Sequence, residues 1–319
     1  MEKKHINIKE RTNKAQGNVN KIVAGLNERP YGKQFFKAGK LMREAVLRSS
    51  LLTNAETWIN ITKKDLEDLE KPDMTLQREM LSASGNPSKC FIQLELGIIP
   101  VKFVLMQKRL NFLQHILHES TDSMIKQVFM VQKQDSKKGD LKDLTDKDRV
   151  SLDIQCEDHE IEAASKQAWK KFVKSKVKIA AFSELILENS TKSKTREVKF
   201  EELKISSYLE ENKRTSLSKF IFSIRSKTLD IKEYQPWKYE TDKCVACQKY
   251  PETMNHFEIC DAYRNQPCEN WAEINELNSE NIIQVGLAIE KRFEERTRIL
   301  LKDEVGQAPT PDSRAPGSC

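Results

Sequence analysis

Glycine and proline are scarce in this 319-residue chain, ten of each. A sandwich or barrel built on many tight turns is therefore disfavoured, and long helices are favoured, since 32% of the residues are Asp, Glu, Lys or Arg. No apolar run approaches the ~20 residues that span a bilayer. The opening MEKKHINIKERTNKAQGNVN is too polar for a secretory signal. These absences predict a soluble intracellular protein, nuclear or cytoplasmic, without a membrane partner. Seven cysteines are too sparse for a disulfide scaffold. The 38% hydrophobic content still suffices for a core, and the length accommodates about two domains.

Charge is unevenly placed. The net charge of +6 divides into +8 over residues 1–50, −5 over 51–165, +9 over 166–239 and −6 over 240–319. Alternating basic and acidic blocks fit contact with a polyanion through selected faces better than a uniformly solvated shell.

Helical spacing organises most of the chain. Residues 18–26 and 32–52 read as two helices joined at Arg29-Pro30-Tyr31-Gly32, with Phe36, Met42, Ala45 and Val46 marking the apolar face of the second. Thr62 followed by Asp65 resembles a capping box that opens a helix to about residue 70, and Lys71-Pro72-Asp73 is expected to end it. Residues 74–83 resume a helix. In VKFVLMQKRLNFLQHILHES, Phe103, Met106, Leu110, Leu113 and Leu117 share one face behind Pro100. Residues 123–134 continue in helical period. The charged, apolar-poor stretch 135–149 reads as a surface linker. Helices are predicted over 157–177, 217–229 and 281–301, with a polar stretch at 189–197 and a Pro/Gly/Ser-rich disordered tail at the end.

One cluster carries chemistry. Cys244-x2-Cys247-x8-His256-x3-Cys260 places two thiols in a tight turn and the other two ligands about one helical turn apart. Four soft or borderline donors in closed tetrahedral geometry select zinc and leave no position for a reactive water, so the expected role is structural. Cys268 reads as a free thiol, with ligation as the alternative. His115 and His118 have no arranged partners and read as core or surface histidines.

The series NVNKIVAGLNERPYGKQFFKAGKLMREAVLRSSLLTNAETWINITKKDLEDLEKPD, then LELGIIPVKFVLMQKRLNFLQHIL, then CVACQKYPETMNHFEIC, resembles the region C-terminal to the catalytic palm in reverse transcriptases of non-LTR (LINE-like) retrotransposons. The resemblance covers about residues 10–300. It implies a mainly α protein with helical thumb and connection lobes, followed by a small zinc knuckle and a C-terminal helix. The corresponding organisation is a thumb/connection-like lobe at 1–134, a charged linker at 135–149, a basic helical lobe at 150–240, a Cys-Cys-His-Cys knuckle at 241–268, an acidic helix at 269–303 and a tail at 304–319. Polymerases of that family hold two metal ions with palm aspartates, and this chain contains no Asp-Asp pair. The expectation is a catalytically silent fragment of a broken or truncated reading frame.

That fragment is expected to bind RNA or an RNA–DNA hybrid with weak sequence preference. Lys33, Lys37, Lys40 and Arg43 would grip phosphates from the first basic block, and Lys170, Lys171, Lys174 and Lys178 from the second. Trp237, with Tyr234 and Tyr239, offers planes for stacking on unpaired bases. The alternative from a different class is a zinc-stapled helical scaffold for a protein partner. A separate palm acting in trans is a further, weaker alternative.

Overall fold

The computed structural model describes residues 2–28, 34–58, 61–192, 194–263 and 279–306. It is mainly helical. Among the described residues, pairing of strand type is confined to two isolated bridges, Leu96 with Ile205 and Lys243 with Pro251. No helix among them is long and apolar enough to cross a membrane.

The chain divides into two compact units, Met1–Thr215 and Ser216–Cys319. The first holds α1 (Glu2–Asn27), α2 (Phe35–Met42), a π-helical segment (Arg43–Arg48), α3 (Ser49–Leu51), α4 (Lys63–Leu81), α5 (Lys89–Glu95), α6 (Val101–His118), α7 (Met124–Gln134), α8 (Leu141–Ser151), α9 (Asp158–Ala163), α10 (Lys166–Lys192) and α11 (Ser207–Glu211). The second holds most of α12 (Thr215–Arg225), then α13 (Met254–Ile259) and α14 (Ser279–Gly306).

The core of the first unit explains why 1–134 and 150–215 are not separate lobes. On α10, Trp169, Val173, Val177, Ala181 and Leu185 recur every fourth residue and form one buried stripe. They pack on Phe103, Leu110, Leu113 and Leu117 of α6, and the Trp169 indole donates to the Leu110 carbonyl at 3.0 Å. Each Val, Leu or Phe among them contributes about 1.5–3 kcal/mol on burial. A core shared by α6 and α10 cannot be cut between them. On the other side, Ala15, Val19, Ile22 and Leu26 of α1 lie buried, and α1 packs against α4.

Several boundaries differ from those the sequence predicts. The capping box is present, with the Asp65 amide donating to the Thr62 hydroxyl at 3.1 Å and the Thr62 amide to Asp65 Oδ2 at 2.9 Å. Yet α4 runs straight through Pro72. Interior proline costs ~3 kcal/mol, and here burial of Leu69, Leu76 and Met80 together with pairing of Asp73 outweighs it.

The stretch expected as a linker instead carries α8, with Thr145 and Asp148 buried. Its charges are matched locally: Lys142 pairs with Asp146, Lys147 with Asp143 at 2.7 Å, and Asp148 with Arg109 of α6 at 2.7 Å. The helix predicted over 157–177 breaks at Ala164, whose backbone is extended, and Ser165 caps α10 by accepting from the Ala168 amide at 3.2 Å. The turn at 29–32 and the tail beyond Gly306 lie outside the described residues, as does Cys268.

After Met42 the widened π turn shifts the helical phase. Leu47, Arg43 and Arg48 face inward, while Ala45 and Val46, expected on the buried face, are exposed.

Candidate metal centre

Residues 243–251 fold back on themselves. Lys243 bridges Pro251, the Cys244 amide donates to the Tyr250 carbonyl at 2.6 Å, and the Gln248 amide donates to the Cys244 carbonyl at 2.9 Å. Gln248 adopts a left-handed backbone with φ of 55°, which closes the turn carrying Cys244 and Cys247. The Thr253 hydroxyl caps α13 by accepting from the His256 amide at 3.0 Å. This cap puts His256 in the first turn and Cys260 at the C-cap.

The two halves converge. Cys244 Sγ lies 3.9 Å from Cys260 Sγ, and Cys247 Sγ lies 3.2 Å from His256 Nε2. All four ligand atoms fall within 4.8 Å of one another, and the group can hold a metal ion. Cys244 and Cys260 are buried; Cys247 and His256 are half-buried.

The thiols differ in acidity for identifiable reasons. Burial, with the neighbouring Cys244 sulfur adding to it, pushes Cys260 up to about 12. Burial also raises Cys244. At Cys247 burial opposes ionisation, but the Lys249 and Tyr250 amides and the His256 ring overcome it and bring the thiol to about 6. Three sulfurs this close cannot all be thiolates unaided. A cation between them reverses that balance, and its binding displaces protons.

Spacing alone does not reveal what fixes the cluster. Glu252, 1% exposed, accepts both guanidinium bonds of Arg296 from α14, at 2.9 Å each, and an amide bond from Lys232 at 3.1 Å. Arg292 donates to the Phe257 carbonyl at 2.6 Å. Phe257 packs against Tyr263 in a tilted arrangement, with ring centroids 4.9 Å apart. An acidic residue between the two ligand pairs was the available clue; its partner, 44 residues away, was not.

The predicted nucleic-acid contacts distribute unevenly. Lys170, Lys171 and Lys174 are exposed on α10. Lys178 is half-buried and pairs with Glu202 at 3.1 Å, and Lys37 lies 3.6 Å from Glu210. Lys40 donates to the Gly97 carbonyl at 2.8 Å; burial and the nearby Arg43 lower its pKa. Arg43, expected to grip phosphate, is instead fully buried in a two-bond pair with Asp73 and cannot reach one. Lys33 lies outside the described residues.

Of the three aromatics, Trp237 is 70% exposed, whereas Tyr234 is buried. Tyr239 lies 5.6 Å from both the Lys232 ammonium and the Arg296 guanidinium. His115 is exposed, 3.4 Å from Glu119.

Comparison with protein-family models, with curated proteins and with solved structures finds no match to this chain.

Proposed function

We propose that this protein is a catalytically silent, zinc-stapled helical protein that binds RNA or an RNA–DNA hybrid, akin to the thumb, connection and zinc portion of a LINE-like reverse transcriptase. The observation that carries the metal assignment is the convergence of Cys244, Cys247, His256 and Cys260. A tetrahedral zinc ion with Zn–S of ~2.3 Å and Zn–N of ~2.0–2.1 Å implies S···S edges of ~3.8 Å and S···N edges of ~3.5–3.6 Å. The separations of 3.9 and 3.2 Å lie on either side of those values. With four protein ligands the ion has no open position, so its work is folding the knuckle rather than activating water.

Support for the nucleic-acid role comes from the exposed Lys170, Lys171 and Lys174, with Lys178 on the same helix and the exposed Lys37 on α2, and from the solvent-facing indole of Trp237. Lysine contacts to phosphates give weak sequence preference and steep salt dependence. The absence of an Asp-Asp pair from the sequence supports catalytic silence.

A second reading, a scaffold for a protein partner, is favoured by one specific feature. Met124, Val128 and Val131 follow one another on an exposed face of α7.

The test is an electrophoretic shift of a short RNA–DNA hybrid by zinc-loaded protein at two salt concentrations, with primer extension in parallel. Retention that weakens steeply with salt, without extension, is expected. No retention at low salt overturns the nucleic-acid assignment and leaves the scaffold; extension overturns catalytic silence.

A further inference from the structure

The first unit contains an open cleft of about 820 Å³ whose lining includes Lys37, Lys40 and Arg48 from one stretch of chain and Lys174, Lys178 and Lys204 from another. Sequence places the two groups more than a hundred residues apart. Their convergence suits a ligand with several clustered negative charges.

Local charge decides what the cleft can take. Six cations line it against two lining carboxylates, Glu44 and Glu210. Glu44 is held by Arg43 at 2.7 Å and Arg48 at 3.0 Å, and Glu210 faces Lys37. Glu202 bonds both Lys178 and Lys204, at 3.1 and 3.0 Å, and removes one further charge. Glu201 also acts on Lys204, so about two positive charges stay uncompensated at the cleft. Lys174 has no carboxylate in ion-pair contact among the described residues, and Lys40 hydrogen-bonds carbonyl oxygens, with Glu44 and Glu210 acting on it only through space. Deeper in, Arg48 is 7% exposed and its Nε–H has no acceptor.

The wall is rigid. Gly97, at φ of +59°, lies so close to Lys204 and Ile205 that a Cβ would overlap their backbone. The Ser206 amide donates to the Glu95 carbonyl at 2.8 Å, and Leu96 bridges Ile205. Lys204 sits on this frame and Lys40 is anchored to it through the Gly97 carbonyl, which partly preorganises both for an anion. The volume falls in the ~300–1,000 Å³ range of small-molecule sites.

We propose that this cleft binds a compact anion carrying two or three phosphate groups, seated against Lys40 and Lys174. The cleft shares Lys37, Lys40, Lys174 and Lys178 with the nucleic-acid reading above, but binding of a free polyphosphate is measured without nucleic acid, so either can fail alone. Calorimetric titration of the full zinc-loaded chain with sodium tripolyphosphate, pyrophosphate and orthophosphate tests it, with protein-bound zinc measured before and after. Saturable one-to-one binding is expected, tightening from orthophosphate to tripolyphosphate. Lys174→Glu, on an exposed position that leaves the fold intact, is expected to weaken tripolyphosphate at least ~10-fold, and Lys40→Gln to do the same if it folds. Lys63→Glu, an equal charge change away from the cleft, is expected to shift affinity less than ~2-fold. Absence of saturable binding at low salt, equal weakening by Lys63→Glu and Lys174→Glu, or orthophosphate binding as tightly as tripolyphosphate overturns the proposal.

Discussion

Arg296 on α14 meets Glu252, in the loop between Cys247 and His256, through two bonds of 2.9 Å, and both side chains are almost wholly excluded from solvent. The pair joins the Cys/His cluster to the last helix of its unit. Glu252 also accepts from the Lys232 amide, so three segments of chain share one carboxylate.

Removing one member strands the other as a buried charge, which typically costs ~3–5 kcal/mol. Arg296→Met is therefore expected to destabilise the second unit by about that amount in urea unfolding. Arg296→Met combined with Glu252→Gln is expected to cost less than the sum of the singles. Strict additivity would show that the two residues are not coupled.

Metal removal is expected to act on the same unit. Structural zinc contributes ~10–16 kcal/mol of apparent free energy in small modules, comparable to the ~5–15 kcal/mol stability of a whole domain. Elemental analysis is expected to find one zinc per chain, and Cys260→Ala to abolish stoichiometric binding. Chelation is expected to erase amide-exchange protection around α13 while leaving α6 and α10 protected. Unchanged protection at residues 244–260 after complete zinc loss refutes a structural role.

Two buried carboxylates are expected to answer pH oppositely. At Asp73 burial opposes the charge, but Arg43 and Arg48 together outweigh it, and the pKa falls below the ordinary value. At Asp148 burial wins over the single guanidinium of Arg109, and the pKa rises. A depressed carboxyl stabilises the fold at neutral pH, and that contribution disappears as pH falls through its folded pKa. Asp73→Asn is thus expected to cost ~3–5 kcal/mol at pH 7, with the gap from wild type closing below the ordinary carboxylate range. For Asp148 the ionised form is the disfavoured one in the fold, so acidification through its folded pKa relieves rather than removes. Asp148→Asn is expected to cost less at pH 7, with no deficit that closes on acidification. Parallel pH profiles for the two variants would contradict this assignment.

Gly97→Ala is expected to be destabilising well beyond an ordinary surface change. The left-handed backbone at this position costs a non-glycine residue ~1–3 kcal/mol, and the added methyl meets fixed backbone at Lys204 and Ile205 rather than a yielding side chain. Denaturant midpoints measure the loss; a midpoint equal to wild type would show that the 203–206 segment can move aside.

Much of the helical plan was legible from short-range chemistry. The Thr62–Asp65 box, the apolar face of α6 and the Cys/His spacing each depend on residues only a few positions apart, where the backbone alone brings groups together. Long-range pairing was not legible. Arg43 reads as a surface cation because nothing near it in sequence shows that Asp73 will meet it in the interior. Pro72 reads as a stop because propensity is local, while the packing that carries α4 past it is not. Residues 135–149 read as a linker from their charge, although those charges neutralise one another along α8.

The π turn at Arg43–Arg48 also limits how this chain can change in length. Such a turn is equivalent to one residue inserted into a regular helix. Deleting a single residue there, for example Val46, would restore regular winding and leave the downstream phase nearly unchanged, whereas a one-residue insertion or deletion in the regular turns of α2 would rotate everything downstream by ~100°. Arg48 and Leu47 would then swing away from the interior they now occupy. Length changes in α2 are therefore expected to be far less tolerated than loss of one residue from the π turn itself.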